Sequence, residues 1–478
     1  MFKKRFQKFA ALACALILTV LAGCGSDDVQ TSRDPAVLVS AEKTATFSSI
    51  TEVEQALFAG GADQLTISST LGGYDTLANA TKNGATGVQP INDLINLIKS
   101  VWNEGFLPYT RTPIVHLYKI TYKQSPQPNA PNLTGLLMLP YDLLHNPRGV
   151  LLFTHPTETL RAYSPSRKEP FIDGTMTKMF GYLFATLGYA VVMPDYPGMG
   201  DNYETHPYCL TTLGSSSAAM VKAVRSNKDF GLSDYIEVNI MGFSEGGYAA
   251  LASAYYMKNY PADYMVKKVA SLSGPYDLAG TMKNLMISAG IDFPAPYFLP
   301  YVINGYRAAY PAISYLDFSN AVVANPVIDG LNFNSRLLAL LNGDYTGSQI
   351  STLIYTVTPA SKDNKYYGPI SITTLDFQKH LVDEPDSDLN KALAANTLAQ
   401  TAWLPDPNVK FFFAHYEGDD CVPYGNTLAM QKVWGTYSNV TFTKLTSTEP
   451  FNKANTGSTH AASLVREYVL GMQFLLGM

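Results

Sequence analysis

Short apolar runs alternate with helical stretches through most of the chain, and this alternation restricts the fold more than any other feature. Eight runs have the length and composition of β-strands: 114–123, 133–139, 148–154, 188–194, 236–242, 267–273, 408–415 and 439–446. Helical spacing of apolar residues separates the later runs, at 175–187, 210–227, 246–259, 425–437 and 462–476. The pattern predicts an α/β fold with a mostly parallel, eight-stranded sheet that carries helices on both faces.

The alternation is interrupted between residues 281 and 405, where apolar and aromatic clusters follow no strand–helix rhythm. A loop of that length without secondary structure is improbable inside a compact domain. We therefore expect residues 281–405 to form a largely helical cap, inserted between the sixth and seventh strands of a core made of 61–280 and 406–478. A separate domain is the alternative, although neither flank has the composition of a linker. A helix at 88–104 is expected to extend the core at its N-terminal side.

The N-terminus has the pattern of a targeting segment. A basic start and an apolar run from Phe9 to Leu21 are followed by Leu21-Ala22-Gly23-Cys24, which resembles the lipobox of bacterial lipoproteins. The resemblance implies that residues 1–23 are a signal peptide, that Cys24 carries a lipid, and that 24–60 form a tether. Because no Asp follows Cys24, it also implies the outer membrane. An ordinary signal peptide with a chance cysteine is the alternative.

Composition excludes several classes of protein. Apolar residues make up 46% and charged residues 15% of the chain, which favours a large core over disorder. The net charge of -5, without a basic stripe, argues against nucleic acid as a partner. The 31 Tyr and 23 Phe suit either a wide apolar cavity or a thick core. Cys209 and Cys421 remain after processing; an oxidising compartment permits a disulfide between them, and the sequence leaves their pairing open.

Candidate catalytic residues begin with a G-x-S-x-G sequence at residues 242–246, which makes Ser244 the candidate nucleophile. The sequence follows the strand 236–242 and precedes a helix, as a nucleophile elbow requires. Small residues on either side are needed because a Cβ there would collide with neighbouring backbone. The bare pattern is short enough to occur by chance, so a glycine-rich turn without catalysis is the alternative.

A serine nucleophile needs a base, and the base needs an orienting carboxylate. In such folds the nucleophile comes first along the chain, then the acid, then the base. His460 lies in a loop after the last strand, where this order places the base. His380 falls in the cap and His415 within a strand, which favours a structural role for both. The acid should follow the seventh strand, and Asp419 is the candidate, with Asp420 as the alternative.

Two backbone N–H groups must also point to where negative charge develops on the substrate. One belongs to Glu245, the residue after the nucleophile. The other is expected from the loop after the strand 148–154. Since Pro156 has no N–H, Thr157 is the candidate donor, and His155 is expected to be structural.

These motifs, together with Asp195-Tyr196-Pro197-Gly198, His206-Pro207-Tyr208 and Trp403-Leu404-Pro405, resemble α/β-hydrolases of the secretory lipase type. The resemblance covers about residues 110–478 and implies hydrolysis of small-molecule carboxylic esters with apolar acyl groups, without cofactor, metal or protein partner. A peptidase of the prolyl-oligopeptidase kind is an alternative, although residues 25–110 are too few for a propeller. A surface lipoprotein that binds an apolar ligand without hydrolysing it is another.

Overall fold

The computed structural model describes residues 33–47, 114–141, 146–167, 176–288, 293–314, 327–328, 331–356, 375–400, 403–449 and 451–477. The predicted signal peptide with Cys24 and the predicted helix at 88–104 lie outside these residues. Nothing in the described part of the chain tests either prediction.

Nine of the described strands form a single sheet in the order β1-β2-β3-β5-β4-β6-β7-β10-β11. The described strands are β1 (Val37–Phe47), β2 (Val115–Lys123), β3 (Leu133–Pro140), β4 (Gly149–Thr154), β5 (Tyr189–Pro194), β6 (Glu237–Phe243), β7 (Met265–Leu272), β8 (Val327–Ile328), β9 (Leu331–Asn332), β10 (Lys410–Tyr416) and β11 (Val440–Leu445). Neighbouring strands pair in parallel along the part of the sheet that runs β5-β4-β6-β7-β10-β11. The pairs β1–β2, β2–β3 and β3–β5 are antiparallel. The predicted α/β class and mostly parallel sheet are confirmed.

Strand β1 corrects two predictions, because the described residues form nine strands of the sheet rather than eight, and residues 37–47 belong to the sheet rather than to a tether. Among the described strands, β1 pairs with β2 alone and forms one edge of the sheet. Most of its residues are exposed or half-buried, with Phe47 buried at its end. An edge strand of this kind carries polar side chains, so its sequence lacks the apolar pattern that marks the other eight.

Helices cover both faces of the sheet, as predicted. The described α-helices are α1 (Met176–Thr186), α2 (Leu210–Ser226), α3 (Glu245–Met257), α4 (Lys283–Ile287), α5 (Phe298–Ala309), α6 (Phe333–Leu340), α7 (Gly347–Thr356), α8 (Leu375–Val382), α9 (Asp388–Ala395), α10 (Gly425–Trp434), α11 (Lys453–Thr456) and α12 (Thr459–Leu476). Consecutive residues of a strand point to opposite faces, so Val150 and Leu152 join one core with α2 and α3, and Leu151 and Phe153 another with α1 and α12.

The segment between β7 and β10 contains the helices α4 to α9 and a small hairpin of β8 and β9. Six helices in the described residues of this segment agree with the predicted helical character of the cap. Among the residues that the structure describes, no helix combines the length and apolar character needed to cross a membrane.

Candidate active site

Ser244 stands on a sharp turn between the end of β6 and the beginning of α3. Its backbone has φ 61° and ψ -127°, a left-handed conformation that costs energy for a residue with a side chain. A Cβ on Gly246 would lie 2.2 Å from the Thr154 carbonyl oxygen, and one on Gly242 would lie 2.3 Å from that of Gly246. The glycines at both positions are therefore required by close backbone approach, as the elbow pattern predicts.

The Ser244 side chain opens on an apolar cavity. Ser244 itself is only 4% exposed. Thr157 lines the same cavity, and most of the other walls are apolar side chains from the cap, including Met286, Ile303 and Leu389. Cavities with such a lining are typical of small-molecule sites.

His460 and Asp419 form a short, buried hydrogen bond. His460 Nδ1 lies 2.5 Å from Asp419 Oδ2, and the side chains are 3% and 0% exposed. Because a carboxylate oxygen only accepts, Nδ1 carries the proton and Nε2 keeps its lone pair in the neutral ring. This is the tautomer that a general base requires.

Asp419 is held in its ionised form. Its Oδ1 accepts hydrogen bonds from the backbone N–H groups of Cys421 and Val422, at 2.9 and 2.7 Å. Burial alone would raise its pKa, but the charge of His460 and hydrogen bonds from His415 and His460 lower the pKa well below the ordinary value. The carboxylate therefore stays charged at neutral pH.

The aspartate next in sequence has a different role. Asp420 Oδ1 accepts from the backbone N–H groups of Thr459 and His460, at 3.0 and 3.3 Å, at the first turn of α12. Asp419 is thus hydrogen-bonded to the imidazole ring of His460, whereas Asp420 is hydrogen-bonded to the backbone at the start of α12.

Ser244 and His460 lie at the same rim of the sheet without a hydrogen bond between them. The His460 ring stacks on the ring of Phe243, the residue before the serine, with centroids 4.6 Å apart. Its Nε2 is buried and forms no hydrogen bond with any described residue. Catalytic hydrogen bonds of this kind often form or shorten when substrate binds.

Two buried residues that were not predicted to belong to the site complete the surroundings of the acid. His415, expected to be structural, places Nε2 3.3 Å from Asp419 Oδ2 and 2.8 Å from the carbonyl oxygen of Val422. Glu467 on α12 accepts hydrogen bonds from the Ser273 hydroxyl at 2.8 Å and the Tyr416 N–H at 3.2 Å. Burial raises the pKa of Glu467 to about 8, although the charge of His415 and the bond from Ser273 oppose the change.

The candidate oxyanion donors belong to two segments close to Ser244. Glu245 begins α3 immediately after the serine. Thr157 is buried and follows β4 by three residues. The elbow and this loop are in contact, because a Cβ on Gly246 would also lie 2.8 Å from the His155 carbonyl oxygen.

Cys209 and Cys421 are both buried and are free thiols. The disulfide that the sequence left open is therefore not formed in this structure. Burial raises the pKa of Cys209 to about 12, which keeps that thiol protonated and unreactive.

The sheet order, the elbow and the cap define an α/β-hydrolase fold, and solved structures agree. A candidate hydrolase from Legionella pneumophila is 22% identical, covering 91% of this chain and 98% of that chain, with a TM-score of 0.61. The ligand-bound rice cell wall degrading esterase LipA from Xanthomonas oryzae is 18% identical, covering 91% and 97%, with a TM-score of 0.59. Candida antarctica lipase A is 14% identical, covering 70% and 72%, with a TM-score of 0.50.

Within this fold, residues 174–320 match the family model described as secretory lipase. The segment includes the elbow and the start of the cap, and the match confirms the predicted resemblance there. No curated protein is significantly similar to this sequence.

Proposed function

We propose that the protein is a serine hydrolase of carboxylic esters. The observation that carries the proposal is the Asp419–His460 pair, buried at the rim where Ser244 opens on an apolar cavity. The secretory lipase match and the esterase and lipase neighbours support the same class of reaction.

In the proposed reaction, Ser244 Oγ attacks the ester carbonyl carbon while His460 Nε2 takes the hydroxyl proton. The negative oxygen of the tetrahedral intermediate accepts hydrogen bonds from the N–H groups of Glu245 and Thr157. The intermediate expels the alcohol, which receives the proton from His460, and leaves an acyl-enzyme. Water, deprotonated by His460, then attacks this ester, and the acid is released as His460 returns the proton to Ser244 Oγ. Asp419 holds the imidazole in its tautomer and stabilises the imidazolium.

The cavity supports esters with apolar acyl groups as substrates. Its walls are dominated by aliphatic and aromatic side chains of the cap, such as Met286, Phe298 and Leu389. Each methylene transferred from water to such a wall contributes about 0.8 kcal/mol. We therefore expect medium and long acyl chains to bind better than acetate.

The test compares Ser244→Ala with Ser253→Ala, which removes a buried hydroxyl from helix α3 away from the cavity. We expect Ser244→Ala to lower kcat for a p-nitrophenyl ester by about four orders of magnitude or more, with the Ser253 variant near wild type. A fluorophosphonate should label the wild type and not the Ser244 variant, because only an activated serine reacts. Undiminished hydrolysis by Ser244→Ala would refute the assignment, and a wild type without labelling would favour a protein that only binds apolar ligands.

We also propose that Cys24 carries the lipid of a lipoprotein in the outer membrane. The lipobox-like sequence supports this proposal, and the secretory lipase match supports export in general. The anchor would place the hydrolase at a lipid surface, where esters with long acyl chains concentrate.

A further inference from the structure

The side chain of Glu245 is part of a buried ion pair that the proposed reaction does not use. Its Oε1 lies 2.6 Å from His206 Nε2, and the two side chains are 1% and 3% exposed. His206 Nδ1 lies 2.8 Å from the carbonyl oxygen of Pro197. With Glu245 as a carboxylate, both of these partners accept, so both ring nitrogens donate and His206 is an imidazolium. In keeping with this, Glu245 and the two hydrogen bonds outweigh burial and raise the pKa of His206.

The imidazolium lies between two tyrosines. Its ring stacks on Tyr196 with centroids 5.8 Å apart and on Tyr301 with centroids 5.5 Å apart. Tyr196 belongs to the turn after β5 and has φ 69°, a strained value for a tyrosine. Tyr301 belongs to helix α5 of the cap. We call Tyr196, His206 and Tyr301 the aromatic brace.

The two tyrosines of the brace also hold the loop that carries Thr157. The Tyr196 hydroxyl donates to the carbonyl oxygen of His155 at 3.0 Å. The Tyr301 hydroxyl donates to the carbonyl oxygen of Glu158 at 2.9 Å. The loop is thus tied on both sides of Thr157, while the imidazolium between the tyrosines ties the side chain of Glu245.

We propose that the aromatic brace fixes the two oxyanion donors relative to each other, and that Tyr301 is the positioning residue through which the cap contributes to their geometry. The proposal rests on the proposed function, because Glu245 and Thr157 are its donors. Electrostatic stabilisation of the transition state depends on donors that are held in place before the reaction, and small misplacements cost large factors in rate. A strained Tyr196 backbone, retained by its contacts, fits such a role.

The effect of Tyr301 can be separated from acyl binding. Phe298, Leu299 and Val302 of α5 line the Ser244 cavity, whereas Tyr301 is not among its lining residues. A change at Tyr301 should therefore act on kcat rather than on KM. Tyr301→Phe removes the bond to Glu158 but keeps a ring for stacking, and Tyr301→Leu removes both.

The experiment compares each variant on a p-nitrophenyl ester and on its thionoester, in which sulfur replaces the carbonyl oxygen. Sulfur accepts hydrogen bonds weakly, so the preference for the oxygen ester reports on the donors. We expect Tyr301→Leu to lower kcat for the oxygen ester about tenfold or more, with KM changed less than about threefold, and to lower the oxygen-to-sulfur ratio in parallel. Tyr301→Phe should fall between this variant and wild type.

Tyr310→Phe is the matched control. It removes a hydroxyl at the C-terminal end of the same helix, bonded to Asn396, and should leave the ratio within about twofold of wild type. An unchanged ratio in both Tyr301 variants overturns the brace while the esterase stands; if Tyr301→Leu does not fold, Tyr301→Phe decides alone. A wild type that does not hydrolyse esters, or an active Ser244→Ala, overturns the proposed function instead.

Discussion

Replacing Glu467 by glutamine should remove a pH-dependent loss of stability. Burial raises the pKa of this carboxyl to about 8, from an ordinary value of 4.5. Below pH 4.5 the group is protonated in both the folded and the unfolded chain and has no effect. As the pH rises toward 8, the unfolded chain loses the proton while the folded chain keeps it, so the free energy of unfolding falls.

The size of the effect follows from the two pKa values. The full penalty, reached above pH 8, is about 5 kcal/mol, because each tenfold change in a protonation equilibrium corresponds to about 1.4 kcal/mol. The penalty is about 2 kcal/mol at pH 6 and near its full value at pH 9. The variant Glu467→Gln keeps an oxygen that can accept from Ser273 and Tyr416 but does not titrate. Its stability relative to wild type should therefore rise by about 2–3 kcal/mol between pH 6 and pH 9.

The assay is urea unfolding of both proteins at several values between pH 6 and pH 9, followed by circular dichroism. Any constant cost of the amide shifts the variant equally at all pH values, so only the change with pH is tested. Glu42→Gln, at an exposed position of β1, is the control and should show no such trend. A difference between Glu467→Gln and wild type that stays constant with pH would show that the carboxyl is already ionised in the folded protein.

Three further changes have defined outcomes. Gly246→Ala places a Cβ 2.2 Å from the Thr154 carbonyl oxygen. It should lower the free energy of unfolding in urea by about 1–3 kcal/mol and abolish labelling by the fluorophosphonate. Normal labelling would contradict the elbow geometry. Ile303→Trp fills part of the cavity and should lower kcat/KM for a dodecanoate ester about a hundredfold relative to an acetate, since excluding about four methylenes costs roughly 3 kcal/mol; an unchanged ratio would locate the acyl chain elsewhere. Cys24→Ala should abolish incorporation of labelled palmitate and release the protein from the membrane fraction, and retained labelling would refute the lipobox interpretation.

The eight predicted strands agree with the structure to within two residues at every end. Those in the middle of the sheet, such as β4 and β5, are buried runs flanked by turns. A central strand is apolar on both faces and can be read from composition alone. Strand β1 could not be predicted in this way, because its polar residues suit an edge strand. Its pairing with β2 also joins segments about 70 residues or more apart in the chain. The cap was recognised by the absence of strand rhythm, which reveals helical character but not where each helix begins.

The residues of the site also fall into those that local sequence reveals and those that it does not. Local constraints made Ser244 recognisable, because the strand, the turn and the two glycines are all neighbours in sequence. His415 and Asp419 are only four residues apart across a strand end, so their contact was open to sequence reasoning. Glu467 and the brace depend instead on tertiary contacts, and a lone glutamate in a helix or a tyrosine in a cap carries no local sign of them.

The proposed brace links the cap to the core next to the nucleophile. The His206–Glu245 pair is buried, and such a pair is costly to form, while breaking it leaves an uncompensated charge in the core. Tyr196 and Tyr301 stack on the His206 ring, and Tyr301 belongs to helix α5 of the cap. In the proposed brace, the packing of α5 against the core therefore contributes to the burial of the ion pair and to the position of Glu245 at the start of α3. Substitutions in the cap near Tyr301 should then change turnover even where they do not line the Ser244 cavity.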